Sequence, residues 1–381
     1  MRSKVKLFID ADSIITSRPS GIGSMTVHLI RGLSTTDAFT DRYKIVILTP
    51  FNKRGLIDQW KFHNVTIMSI PLTGRIISAL VKFHLLPPVD IFLGKGIYLF
   101  PNFRNFPLLF SKSITYIHDV SFEVFPEFVE EKNLVFLKKN IKQWIKRADA
   151  VITVSRHAKA EIARFYPQAE AKTHLVYNGI DSSFMSMSSS DSKRIIDSYG
   201  LNYKDYFMFL SNIEPRKNIS GLLAAYKEFI ANPAYANMKL LMVGGMGWNN
   251  EAILKEIDKI NQSTERIVIP SYYVPDSELP ALLSGAAALL HPAHYEGFGI
   301  SPLQAMACGT QVLVADNSSL PEVVGDAGTY VDSMSIDSIY EGMKKVYKQK
   351  NERNDKGIRR SKEFTWSQSV ISLRKVIDRL S

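Results

Sequence analysis

The 381-residue chain is 45% hydrophobic and 22% charged, with 21 Gly and 17 Pro, a composition that excludes collagen, low-complexity disorder and a coiled coil and a length that fits two domains. Its single cysteine, Cys308, excludes an internal disulfide and a cysteine-ligated structural zinc, and fits a reducing compartment. The net charge of +10 is unevenly placed, with 25 Lys+Arg against 14 Asp+Glu over 1–180 and 22 against 23 over 181–381; the basic half points to nucleic acid, acidic lipid headgroups or a phosphorylated substrate, beside the plainer reading of a merely basic surface.

From the N-terminus, the apolar run after Lys4 and Lys6 stops at Asp10, too short for a secretory signal, so the cytoplasm is the expected compartment. Segments 4–11, 44–49, 65–70, 97–102, 113–119, 150–155 and 173–180 are nearly continuous in Ile, Val, Leu and aromatics and are predicted to be strands apolar on both faces, as in a parallel sheet covered by helices. The helices between them include 23–33 and a long one near 128–147, whose Lys138, Lys139, Lys142, Lys146 and Arg147 make a basic stripe. Segment 75–86, with Ile76, Ile77, Leu80, Val81, Phe83, Leu85 and Leu86 around Arg75, Lys82 and His84, reads either as a core helix or as an apolar contact with a membrane.

Residues 181–192 are Ser-rich and polar and form the best linker candidate. After them the alternation restarts, with strands predicted at 206–213, 239–244, 266–271, 287–292, 311–317 and 328–331. The longest uncharged stretch, 297–315, is broken by Gly299, Pro302, Gly309 and Gln311, so no transmembrane helix is expected. The tail at 364–380 carries Val370, Ile371, Leu373, Val376, Ile377 and Leu380 at helical spacing. The predicted fold is therefore α/β, with two doubly wound Rossmann-like domains facing an interdomain cleft. Residues 1–185 make the first domain, 186–365 the second, and the helix 366–381 is expected to pack back on the first.

Four motifs carry chemistry. Ser20-Gly21-Ile22-Gly23 follows the first strand and precedes a helix, where glycine lets backbone N–H groups approach an anion, though a glycine turn before a helix is common. Asp10-Ala11-Asp12 has the spacing of a metal-binding pair but lies at the first strand end with no nucleotide-binding half before it. Glu214-Pro215-Arg216-Lys217-Asn218 sets two adjacent cations at a strand end, suited to a diphosphate, or simply starts a solvated helix. In the segment 291–309, Ser301-Pro302 with Gln304 reads as an N-cap and capping box; the amides of Phe298, Gly299 and Ile300 then form a phosphate cradle, and Glu296 is an acceptor for sugar hydroxyls.

Together with Tyr116-Ile117-His118-Asp119, Asn178-Gly179-Ile180-Asp181 and Val243-Gly244-Gly245-Met246-Gly247-Trp248, these motifs resemble the retaining GT-B glycosyltransferases of family 4 from about residue 5 to 375, and most of all bacterial mannosyltransferases of O-antigen and exopolysaccharide assembly. The resemblance implies that Arg216 and Lys217 neutralise the donor diphosphate, Glu296 binds the transferred sugar, and the amides of 298–300 hold the distal phosphate. It further implies that His118 approaches the donor sugar, that Gly21 and Gly23 face the diphosphate and acceptor, and that Tyr273 and Val274 pass the nucleobase. It implies GDP-mannose as donor, a lipid-linked saccharide as acceptor, no metal or other cofactor, and peripheral contact with the anionic cytoplasmic face of the inner membrane.

The chain departs from the family at Gln304, where a second Glu usually grips the ribose, at Ser24, often Arg, and at Gln311, often Pro. A glycoside hydrolase would need a second carboxylate near Glu296, where the chain offers Gln304. A sugar-nucleotide epimerase, or a non-catalytic sugar-nucleotide or lipid-binding protein, would share the diphosphate grip without the transfer. Nucleic-acid binding fits the charge but no motif.

Overall fold

A computed structural model of the chain describes residues 4–16, 20–82, 85–248 and 250–381. They fall into two compact units: residues 1–123, 131–179 and 366–381 belong to the first, and residues 124–130 and 180–365 to the second.

The first unit holds a seven-stranded parallel sheet. Its strands are β1 (Val5–Asp10), β2 (Tyr43–Pro50), β3 (Val65–Ile70), β4 (Ile97–Phe100), β5 (Lys112–Tyr116), β6 (Ala150–Thr153) and β7 (Thr173–Leu175), in the order β3-β2-β1-β4-β5-β6-β7. Side-chain alternation explains why these strands read as unbroken apolar runs. Leu7, Ile9, Ile45 and Ile47 point into one core, while Phe8, Val46 and Leu48 point into another on the opposite face. The helix Trp366–Leu380 belongs to this unit and adds Val370, Leu373, Val376 and Ile377 to the first of those cores. It lies so close to the helix Gly21–Ser34 that a Cβ on Gly32 would come within 2.4 Å of Val370 Cγ2.

The second unit holds a six-stranded parallel sheet, β8 (Tyr206–Leu210), β9 (Lys239–Val243), β10 (Ile267–Val268), β11 (Ala288–His291), β12 (Gln311–Ala315) and β13 (Thr329–Val331), ordered β10-β9-β8-β11-β12-β13. In each sheet the order reverses once, between β1 and β4 and between β8 and β11. Loops leaving the carboxyl ends at such a reversal diverge to opposite faces and open a crevice, where doubly wound folds bind ligands.

The crossing between units falls at 179/180 rather than 185/186, and the expected linker is built into the second unit. Ile180 N–H donates to Phe364 O at 3.0 Å, Met187 N–H donates to Ser284 Oγ at 3.0 Å, and the helix Ser189–Ser198 starts inside the Ser-rich run, capped by Ser188. Serine caps a helix as readily as it populates a loop, so composition misleads there. In segment 75–86, Ile77 and Val81 enter the core while Ile76 and Leu85 are exposed; Phe83 and His84 lie outside the described residues. Among the described residues no helix is long and apolar enough to cross a membrane.

Candidate active site

The chain leaves β8, passes Glu214 and makes a single turn, Pro215–Lys217. Asn218 ends the turn in the left-handed region at φ 55°, and its Nδ2 donates to Pro292 O at 3.0 Å and Ser333 O at 2.7 Å. That side chain fastens the loop after β8 to the loop after β11, the two strands that flank the reversal of order.

The two loops bring five polar side chains together. Glu296 Oε1 accepts from Lys217 Nζ at 2.5 Å and from His291 Nε2 at 2.6 Å. Glu296 Oε2 lies 3.5 Å from Arg216 Nη1. The Arg216 guanidinium also donates through Nη2 to Glu214 Oε1 at 2.8 Å and through Nη1 to Tyr295 O at 2.9 Å. The main chain of Glu296 is held at both ends, its N–H donating to Ser318 Oγ at 3.0 Å and its carbonyl accepting from Ser319 Oγ at 2.8 Å.

Glu214, Lys217, His291 and Glu296 are all buried. Burial alone would raise the Glu296 pKa, but Lys217, the His291 hydrogen bond and Arg216 outweigh it and hold the carboxyl well below the usual range. Lys217 is pushed down by burial and by Arg216, against the pull of Glu296 and Glu214. Burial also lowers His291. Its Nδ1 is buried with no hydrogen-bond partner, so the imidazole is neutral with its proton on Nε2, because a second ring proton would be an unsatisfied buried donor. Two carboxylates thus balance two cations. The pairs hold Arg216 and Lys217 in fixed positions, an arrangement whose N–H groups could be shared with an anion.

The helix Ile300–Ala307 starts beside Glu296, and its first amides have no partner within the helix. The cap expected at Ser301 is not formed. Gly299 occupies the N-cap position at φ 99°, without a side-chain cap, and Ser301, Pro302 and Gln304 lie inside the helix. A Cβ at Gly299 would stand 2.9 Å from Leu320 Cδ2, so the backbone and the neighbouring leucine both require glycine. Gln304, half-buried, falls one turn after Ile300 on the same helix face, so it is placed by helical period rather than by a capping box. Phe298 is buried against the Phe364 ring.

Tyr273 and Val274 follow β10. Val274 is buried, and the half-exposed Tyr273 donates its hydroxyl to Asp276 Oδ1 at 3.1 Å. The remaining candidates belong to the first unit. His118, just after β5, is buried with Nε2 at 2.9 Å from Pro101 O; burial lowers its pKa, so it is neutral and donates to that carbonyl. Gly21 is the first residue of its helix rather than part of a loop, and the Gly23 N–H donates to Ser20 Oγ at 3.5 Å. The glycine motif is therefore a serine-capped helix start. The Asp10 and Asp12 carboxylates share the Arg104 guanidinium at 3.0 Å each. Among the described residues no group of three or more His, Cys, Asp or Glu stands together in a metal-binding arrangement.

Glu214 and His291 lie inside sequence motifs that mark no role for either, and Ser318 and Ser319 lie in none of those motifs. The charge pattern of Glu214-Pro215-Arg216 carried a signal for the first of these. The serines come from the loop after β12 and show none in sequence.

Two family models match the chain: glycosyl transferases group 1 over residues 191–363 and glycosyltransferase family 4 over residues 19–184. The O-antigen chain mannosyltransferase B of Escherichia coli is 29% identical over 71% of this chain and 71% of its own length. The E. coli serotype-specific mannosyltransferase WbdA is 26% identical over 59% of this chain, which spans only 28% of that longer protein. A GDP-mannose-dependent phosphatidylinositol monomannoside mannosyltransferase of Mycolicibacterium smegmatis is 29% identical over 50% of this chain and 51% of its own. Among solved structures, sucrose-phosphate synthase from Thermosynechococcus elongatus superposes with a TM-score of 0.73 at 16% identity, covering 99% of both chains, a likeness of fold. With one model on each parallel-sheet unit and the paired cations and Glu296 at the second unit's strand reversal, the chain belongs to the GT-B glycosyltransferases of group 1 and family 4.

Proposed function

We propose that the enzyme transfers mannose from GDP-mannose, with retention of anomeric configuration, to a lipid-linked saccharide in surface-polysaccharide assembly. The observation that carries the reading is the cluster Arg216, Lys217 and Glu296 beside the N-terminus of the helix Ile300–Ala307. In this reading the diphosphate takes hydrogen bonds from Arg216, Lys217 and the first amides of that helix. Charge growing on the leaving phosphate is then met by donors already in place, so no metal ion is needed. Glu296 already has Oε1 engaged by Lys217 and His291, and it accepts sugar hydroxyls through Oε2. Gln304 offers the ribose one uncharged carbonyl. Tyr273 and Val274 line the base, while His118 and the helix start at Gly21 and Gly23 serve the sugar and the acceptor.

The mannosyl assignment draws on the names of the relatives, and the test is direct. GDP-mannose should raise the melting temperature and support transfer; a preference for UDP-glucose, UDP-GlcNAc or dTDP-rhamnose, with GDP-mannose inert, would reject it. Release of nucleotide with no sugar transferred to any acceptor would favour the epimerase or binding-protein reading.

A lipid-linked acceptor calls for peripheral contact with the anionic cytoplasmic face of the membrane. Lys139, Lys142 and Lys146 are exposed on the helix Glu131–Arg147, whereas Lys138 lies 3.7 Å from Glu123. A second support is the exposed apolar group Ile91, Phe92, Leu109 and Phe110. The buried Asp90 carboxylate ties the one-turn helix Asp90–Leu93 to Leu109 and Phe110 by accepting from their amides. Asp90 is also the only acidic residue of 74–112, a stretch with five basic ones.

A further inference from the structure

The chain leaves the first unit after Glu123 and gives seven residues, Val124 to Glu130, to the second before returning at Glu131. This segment, Val-Phe-Pro-Glu-Phe-Val-Glu, begins five residues after Asp119 of the His118-Asp119 motif and has no part in the site as described so far. Its aromatic rings lie on the loop that carries Glu296. Phe128 stacks on His294, with centroids 5.2 Å apart and planes 14° from parallel, and Phe125 meets Tyr295 edge-on at 6.2 Å. Phe125 and Phe128 also stack on each other at 5.5 Å. Trp248, which follows β9, fixes the segment from another side, its Nε1–H donating to Phe128 O at 2.7 Å.

The two residues under these rings are the ones that hold Arg216 by main-chain hydrogen bonds. His294 N–H donates to Arg216 O at 3.0 Å, and Tyr295 O accepts from Arg216 Nη1 at 2.9 Å. Arg216 is therefore gripped at its backbone and at its guanidinium by a two-residue stretch whose outer side is covered by Phe125 and Phe128. His294 Nδ1 is buried without a hydrogen-bond partner, and the ring lies face to face with Phe128.

We propose that Phe128, locked by Trp248, is a positioning residue for Arg216: it clamps the His294-Tyr295 stretch and so fixes the guanidinium where the leaving diphosphate develops charge. The inference rests on the diphosphate role given to Arg216. Losing the clamp should not remove a binding group. It should let the guanidinium wander, which weakens the transition state more than the ground state, because preorganised donors matter most where charge grows.

The test is a double-mutant cycle on the full-length enzyme, with kcat and donor KM measured per folded molecule and folding followed by circular dichroism. Phe128→Ala should lower kcat about tenfold to a hundredfold while donor KM changes about threefold or less, the scale expected when a catalytic group is misplaced by an ångström or so. Phe128→Tyr should restore the ring contact and most of the turnover, and Trp248→Phe should fall between. In an Arg216→Lys background, which retains a charge but not the grip of Tyr295 O, Phe128→Ala should cost almost nothing further. An equal loss in both backgrounds, or a lowered melting temperature with unchanged kcat, would overturn the clamp. If Arg216→Lys alone leaves turnover intact, it is the diphosphate assignment that fails, a distinct result.

Discussion

The buried pair of Lys217 and Glu296 allows a quantitative test of how the site is held together. Lys217 is 7% exposed and Glu296 9% exposed, and Glu296 Oε1 is shared between Lys217 Nζ and His291 Nε2. Lys217→Met removes the charge with little loss of volume but leaves the carboxylate with His291 and the longer Arg216 contact. Glu296→Gln keeps an acceptor and strands the ammonium. Breaking a buried pair from one side costs about 3–5 kcal/mol, because an uncompensated charge remains. Each single variant should therefore be destabilised by about that much, and the double variant by at least about 2 kcal/mol less than the sum. Urea unfolding at pH 7, with and without nucleotide, reads all four corners of the cycle. A control comes from pH. Glu296 is depressed below its ordinary value of 4.5, so its contribution is present above that value and is lost as the pH falls through the depressed one. Lys217 is also depressed, which acts the other way: stability rises as the pH climbs from its folded value toward the ordinary 10.5. Glu296→Gln should lack the acid-side loss. Additive single costs, or an unchanged acid limb, would refute the coupling of the two charges.

Other outcomes follow from the same site. Arg216→Ala or Lys217→Ala should cost about 2–5 kcal/mol of transition-state stabilisation, with turnover falling more than donor affinity in steady-state kinetics. Gln304→Glu should tighten nucleotide binding in calorimetry by restoring a charge-assisted bond to a ribose hydroxyl, an effect that should survive in Glu296→Ala, where transfer is abolished. Gly299→Ala must accept both φ 99° and a 2.9 Å approach to Leu320 Cδ2, so it should lower stability by about 1–3 kcal/mol and weaken nucleotide binding with it. Co-sedimentation should show binding to anionic but not neutral vesicles, lost in high salt and reduced when Lys139, Lys142 and Lys146 become Glu; equal binding to both vesicle types would reject electrostatic docking.

Among the described residues each of the thirteen strands overlaps a segment that was legible as an apolar run, though Tyr43–Pro50 and Lys112–Tyr116 overrun 44–49 and 113–119, because strands buried on both faces leave no polar alternation to confuse the pattern. Strand ends were less legible. The predicted 173–180 shortens to Thr173–Leu175, since apolar residues continue past the last paired position into loops that line the core. Ser301-Pro302-Leu303-Gln304 matched a capping box and was none, because the glycine two residues earlier turns the chain into the helix by its φ, which no side-chain pattern reports. Arg216, Lys217 and Glu296 were legible as charges beside strand ends. Their partners His291, Ser318 and Ser319 were not, since contacts across β11 and β12 depend on strand order, and strand order is not written locally.

The helix Trp366–Leu380 has a consequence for synthesis of the chain. Val370, Leu373, Val376 and Ile377 fill a core otherwise built from residues 7–176, and burying four such side chains is worth roughly 6–12 kcal/mol as an upper bound. That is comparable to the whole stability of an ordinary domain. While the ribosome is still translating the second unit, the first has its sheet but not its last helix, and it presents an apolar stripe along the helix Gly21–Ser34 to solvent. The second unit, which runs to residue 365, can fold on the nascent chain before that last helix is made. The first-made sheet is completed only once the helix Trp366–Leu380 has followed the second unit, and in that interval it is the part of the molecule exposed to chaperones and to aggregation.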